Sequence, residues 1–297
     1  MKPAPFQYFR PRSVEEALDL LAEHGPDAKP LAGGQSLIPA MNFRLATPAV
    51  LVDLNEAAGL ANVTVQADGL HIGGMTRHRT LERSETVARD APLVTAAMPY
   101  VAHAAIRTRG TLGGSLAHAD PAAELPAVML ALDAVFTVRS LRGSRMVRAA
   151  DFFTGLFTTS LEAGELLTEV AIPRRPPRSA YAFQEIARRH GDYALAGAAA
   201  AVVVDEHGSC TSARVALLSV ADRPTLAEHA RRALEGKQPT AEAIGAAAAA
   251  TADDLDPPGD IHASSAYRRH LAAVLIRRVL ERAFFDAGRP VDAGRPF

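Results

Sequence analysis

The stretch Leu31-Ala32-Gly33-Gly34-Gln35-Ser36-Leu37-Ile38-Pro39 decides how the rest of the chain is read. A short apolar lead-in runs into two glycines, a small polar pair and a second apolar segment. Glycine lacks Cβ, so a bulky anion can come close to the backbone. Successive N–H groups in such a turn make a concavity suited to phosphate. A helical turn opening at Leu37 would add its positive end. The bland alternative is an ordinary strand-to-helix turn, a common setting for paired glycines. A second stretch, Gly110-Thr111-Leu112-Gly113-Gly114-Ser115-Leu116-Ala117-His118-Ala119-Asp120-Pro121, repeats the arrangement and ends on a carboxylate. Two glycine clefts 80 positions apart imply one long ligand with two phosphates, held from both sides.

The bulk numbers narrow the setting. A chain of 297 residues implies two domains. Its apolar share of 48% and net charge of −1 are those of an ordinary globular protein, with no basic excess for nucleic acid or an anionic membrane. Trp is absent, which argues against base-stacking platforms. Cys210 is the only cysteine, so this chain alone can form no disulfide, four-Cys zinc site or iron–sulfur cluster; a buried, inert thiol is its expected state. No apolar run reaches spanning length and the start lacks a signal-peptide core, which reads as cytoplasmic without membrane insertion.

Outward from the first turn, residues 1–55 read as a small βαβ layer. Phe6–Phe9 is a candidate strand, and Ser13 with Glu16 forms a capping box before a helix over Val14–His24. Ala28–Ala32 leads into the glycines, and Pro48–Leu54 is a buried parallel strand. Asp53 either meets a ligand or caps the next turn, with the cap favoured. Residues 56–175 alternate in the manner of an antiparallel sheet: strands at Val63–Val65, Leu70–Gly73, Ala134–Val138 and Leu166–Ile172, a helix capped by Thr80, and another over Leu125–Leu132. Three prolines and three arginines in Pro173–Arg178 mark the boundary. Beyond it come strands at Ala180–Ile186, Ala196–Val204 and Ala213–Ser219. Helices follow at Leu226–Leu234, Ala241–Ala252 and Ser265–Phe285, with a frayed tail from Gly288.

Several motifs together resemble one family. They are Ala32–Pro39, Ile106-Arg107, Gly110–Ser115, Ala117–Pro121, Glu165–Glu169 and Ala187–Ala194, in that order and at matching spacings. The chain resembles the flavin-binding medium subunit of the molybdenum hydroxylases. The resemblance implies an α+β fold: a p-cresol methylhydroxylase-type FAD-binding domain over 1–175, then a smaller C-terminal domain over 176–290 with a three-stranded sheet beside a helix bundle. It implies FAD contacts at Leu31, Ala32, Gly33, Gly34, Gln35, Ser36, Leu37, Val101, Thr111, Gly113, Gly114 and Ser115, with the pyrophosphate across both glycine turns. Asp120 and Glu124 would face the flavin's hydroxylated chain, Leu167 and Gln184 would lie near the flavin, and Tyr193 would cover one face of the ring.

The resemblance also implies partners. A large subunit would carry a molybdenum cofactor and a small one two [2Fe–2S] clusters, leaving this chain to pass electrons to an outside acceptor. Gln35 cannot form a histidyl link, so the FAD would be noncovalent. Thr108 stands where relatives carry Asn, and Gln184 where many carry Lys. His118 reads as a positioned loop residue rather than a base. His71, His78 and His103 have no metal-ligand spacing. Arg188-Arg189-His190 is either a flavin or partner contact or a solvated turn. The rival readings are a standalone flavin oxidase or reductase of the same fold, and a nucleotide-binding module without redox chemistry.

Overall fold

The structure is a computed structural model and describes residues 2–253 and 255–288. Of the tail expected to fray from Gly288, residues 289–297 lie outside the described residues. The N-terminal layer is a parallel sheet of β1 (Gln7–Phe9), β2 (Ala28–Leu31) and β3 (Val50–Asp53) in the order β1-β3-β2. Helix α1 (Val14–His24) starts at Ser13, whose hydroxyl accepts from the Glu16 N–H. It buries Val14, Ala17, Leu18 and Leu21 against that sheet. Helix α2 (Leu37–Asn42) begins where the first glycine turn ends. Asp53 caps the 3₁₀ turn after β3 by accepting from the Asn55 N–H, and it also receives the Tyr8 hydroxyl.

The next part opens with the hairpin β4 (Val63–Val65) and β5 (Gly69–Gly73). Helices α3 (His78–Arg83), α4 (Glu85–Asp90), α5 (Pro92–Ala97), α6 (Ala104–Arg107), α7 (Leu112–His118) and α8 (Glu124–Ala131) follow. Then come β6 (Val135–Ser140), β7 (Gly143–Arg148), α9 (Ala149–Phe152), β8 (Phe153–Gly155), β9 (Thr158–Thr159) and β10 (Leu166–Pro173). Five of these strands form an antiparallel sheet in the order β4-β5-β10-β6-β7. Thr80 does not cap α3 as expected. The helix is entered at Arg77, and Thr80 lies inside its first turn.

Residues 174–178 connect this sheet to a second antiparallel one. It consists of β11 (Ser179–Ala187), β12 (Ala194–Val204), β13 (Cys210–Leu218) and the two-residue edge strand β14 (Thr225–Leu226). The implied three-stranded sheet is therefore four-stranded, with β14 too short to leave a periodic signal. Helices α10 (Glu228–Leu234), α11 (Ala241–Asp253) and α12 (Ser265–Ala287) close the chain. Ala199, Ala216 and Leu218 join the core made by α5, α7 and α8, whereas Ala198, Ala200 and Leu217 join the core under α12. Both faces of the sheet are thus covered, which explains why β12 reads as an unbroken run of small apolar residues. Cys210 is buried and free, and burial pushes its thiol up to about 11. No helix among the described residues is long and apolar enough to cross a membrane.

Candidate functional site

The two glycine turns meet. A Cβ at Gly33 would strike the Arg109 carbonyl oxygen and lie 2.9 Å from Gly110 Cα. A Cβ at Gly114 would lie 3.3 Å from that of Ala32. Gly34 has φ +73, a conformation that glycine adopts without strain. Three polar residues hold the junction. Asn55 donates from Nδ2 to the Ala32 carbonyl at 3.0 Å. The Arg77 guanidinium donates to both Asn55 Oδ1 and the Arg109 carbonyl, tying the first turn to the second. His78 is buried and donates from Nε2 to the Thr111 carbonyl at 2.9 Å. Burial, with Arg107 and Arg77 nearby, lowers its pKa to about 4, so it is neutral at pH 7.

The turns differ in what their backbones offer. In the first, the N–H groups of Gly33, Gly34, Gln35 and Ser36 donate to no atom of the described residues. The chain instead accepts there: Gln35 Nε2 donates to the Gly33 carbonyl and Ile38 N–H to the Gly34 carbonyl. The second turn has no free donor over residues 112–115. Leu112 N–H goes to Thr76 O, Gly113 N–H to Gly74 O at 2.7 Å, Gly114 N–H to Thr111 Oγ1, and Ser115 N–H to Thr111 O. The expectation of a second backbone phosphate cradle is corrected accordingly. Gly113 is required for close packing, since a Cβ there would lie 2.7 Å from the Gly74 oxygen.

Beyond α7 the chain turns through Ala119, a left-handed residue at φ 51, and delivers Asp120 and Glu124 to the same region. Asp120 accepts from the Ala122 N–H at 2.9 Å. Glu124 is buried at the start of α8, and its carboxyl is raised to about 7 by burial, with Asp120 adding repulsion. Tyr193 leaves 70% of its surface exposed, and both carboxylates act on its hydroxyl. The Val101–His103 segment borders the same loop. A Cβ at Gly191 would lie 2.8 Å from Ala102 O, and Arg107 fixes the segment by donating to Val101 O and Ala102 O. Leu167 sits at a bulge in β10, with Gly74 packed between its carbonyl and Gly113. His118 carries no bond to Asp120; its ring packs 5.2 Å from Phe157, and burial lowers its pKa.

Residues 4–175 match the family described as the FAD binding domain in molybdopterin dehydrogenase, and residues 181–283 match the CO dehydrogenase flavoprotein C-terminal domain. The chain belongs to the FAD subunits of the molybdenum hydroxylases. Across 97% of its length and 97% of the relative's, it is 44% identical to the 6-hydroxypseudooxynicotine dehydrogenase complex subunit alpha of Paenarthrobacter nicotinovorans. It is 39% identical to the carbon monoxide dehydrogenase medium chain of Afipia carboxidovorans, over 95% of this chain and 98% of that one. Its fold superposes on a chain of quinoline 2-oxidoreductase from Pseudomonas putida with a TM-score of 0.92, at 42% identity, covering 97% of this chain and 100% of that chain.

The residues of this FAD subunit fit such a group. The four unsatisfied N–H groups of the first turn suit a pyrophosphate, Asp120 and Glu124 present acceptors to hydroxyls, and Tyr193 offers an uncovered ring. On β11, Tyr181 and Phe183 face the core of α5 and α8, whereas Ala180 and Ala182 face the core under α12. Strand alternation puts Gln184 on the α12 side and Glu185 on the side of α5 and α8. The sequence reading missed Asn55, Arg77 and the role of His78. A third glycine pair, Gly73-Gly74, just ahead of Arg77-His78, was the available signal.

Proposed function

We propose that this chain binds one FAD noncovalently, takes electrons from the [2Fe–2S] clusters of a small partner subunit and passes them to an external acceptor. A large partner subunit carrying the molybdenum cofactor would hydroxylate the substrate, and the whole complex would reside in the cytoplasm. The observation that supports the reading most is the row of free N–H donors at Gly33–Ser36 where the first turn meets the second. Bound FAD supplies two-electron and one-electron chemistry at its ring. In this reading the first turn holds the pyrophosphate by N–H donation, with the N-terminal end of α2 reinforcing it. The second turn contributes the Ser115 hydroxyl and a rigid backing rather than backbone donors. Asp120 accepts from ribityl hydroxyls, and Tyr193 shields one face of the ring from water. Leu31, Ala32, Leu37, Val101 and Leu167 line the same path.

The test is the absorption spectrum and metal content of the chain purified with its native partners. Flavin bands over iron–sulfur absorption, with about one acid-released FAD per chain, are expected. Flavin without iron or molybdenum would point to a standalone oxidase or reductase. Well-folded protein that takes up no FAD would overturn the reading.

A further inference from the structure

Two of the residues proposed to meet the flavin come from different domains, and a single buried residue joins the segments that carry them. Asp120 follows α7 in the FAD-binding domain, and Tyr193 ends the loop between β11 and β12 in the C-terminal domain. The joint is Ser219, directly after β13 and 7% exposed. Its N–H crosses between the domains and donates to the Pro121 carbonyl at 2.8 Å. Its hydroxyl donates to the Ala194 carbonyl at 2.7 Å. Pro121 is the chain neighbour of Asp120, and Ala194 that of Tyr193. From α12, Arg268 backs the joint by donating to the Leu195 carbonyl at 2.6 Å and the Ser219 carbonyl at 3.4 Å, and it pairs with Asp260 at 2.7 Å. Every polar group of Ser219 is therefore engaged.

Ser219 has φ 61, in the left-handed region that glycine enters without strain. Glycine would suit this backbone better, but it has no hydroxyl to give the Ala194 carbonyl. Strained residues persist where the surrounding structure over-determines them, and they cluster at ligand sites. The other end of the Tyr193 loop is also fixed: a Cβ at Gly191 would lie 2.8 Å from Ala102 O. The loop is thus held through its main chain at both ends, while the Tyr193 side chain stays largely exposed and open to a ligand. We propose that Ser219 is a positioning residue: its hydroxyl fixes the Ala194 end of the loop and so sets the Tyr193 ring over the bound flavin, in register with the Asp120 segment. The inference rests on the FAD reading above.

The experiment titrates the full-length chain, freed of flavin, with FAD and follows flavin fluorescence, which a stacked tyrosine quenches. It compares wild type, Ser219→Gly and Ser219→Ala, each also in a Tyr193→Ala background, with thermal melts alongside. Both variants lose the hydroxyl, but only glycine releases the backbone strain, so S219G should melt above S219A. Despite that difference, each should bind FAD about fivefold more weakly, the effect of one lost hydrogen bond, and each should leave the bound flavin brighter. In the Tyr193→Ala background the effect of Ser219 on affinity should shrink to less than about twofold, because the two residues act as one unit. Wild-type affinity and quenching in both variants, a flavin effect that follows the melting order, or an undiminished effect in the Tyr193→Ala background would overturn the proposal. A wild-type chain that melts cooperatively yet binds no FAD would instead overturn the FAD reading.

Discussion

The two glycine turns look alike in sequence and do different things. Gly33-Gly34 leaves its N–H groups without acceptors, whereas Gly113-Gly114 lies in the first turn of α7 with every N–H from 112 to 115 satisfied inside the protein. The first turn packs against the Arg109–Gly110 backbone, yet its N–H groups find no acceptor there. The second is filled because Gly74 and Thr76 lie directly against it. A glycine pair therefore signals close approach, and what approaches can be a ligand or another stretch of the same chain.

The sharpest way to break this comparison is Gly33→Val. Its side chain would collide with Arg109 and Gly110. Overpacking of about 3 kcal/mol would lower FAD affinity roughly 100-fold, measured by flavin titration alongside thermal melting. A variant that melts normally and binds FAD with wild-type affinity would refute the placement of the pyrophosphate.

Acid should act on the backing of the second turn. His78 is neutral in the fold, with its pKa lowered from 6.5 to about 4. The unfolded chain binds the extra proton first, so the stabilisation from neutral His78 is complete above pH 6.5 and is lost as pH falls toward 4. The upper bound is about 3 kcal/mol, since each tenfold weakening of proton binding is worth roughly 1.4 kcal/mol. Denaturant melts of wild type and His78→Asn across this window measure it, and the variant should have the shallower slope.

Arg77→Ala would cut the clamp between the turns. Loss of charged hydrogen bonds to Asn55 and Arg109 should cost about 2 kcal/mol and lower Tm by roughly 4–8 °C. FAD affinity should fall with it, because the first turn loses its anchor. Thr111→Val is the mildest and the most discriminating change. It removes the cap on the Gly114 N–H and should cost about 1 kcal/mol of stability, read by melting, yet change FAD affinity less than about threefold. A collapse of FAD binding in this variant would mean that the second turn holds the ligand after all.

Much of this was legible because it is local. The Ser13–Glu16 cap, the buried β3 strand and the strands expected at Val63–Val65 and Leu70–Gly73 each carry a short-range signal, and each forms where that signal places it. Thr80 failed as a cap because Arg77 had already been drawn into the turn junction, a contact across 32 positions. Strand β14 was invisible because two residues show no period. The site residues divide the same way: the glycines announced themselves, while Asn55, Arg77 and His78 act through partners far along the chain.

By itself, the sequence determined the order of elements, the two glycine turns and the family resemblance, because motif, spacing and apolar period are properties of neighbours in the chain. Tertiary structure decided which turn keeps its N–H groups free, since that depends on whether Gly74 and Thr76 supply acceptors. It also decided that Glu185 lies on the α5 and α8 side of β11 and Gln184 on the α12 side. Alternation along β11 separates the two, but both faces of that sheet are buried, and only the packing of α8 on one side and α12 on the other tells them apart.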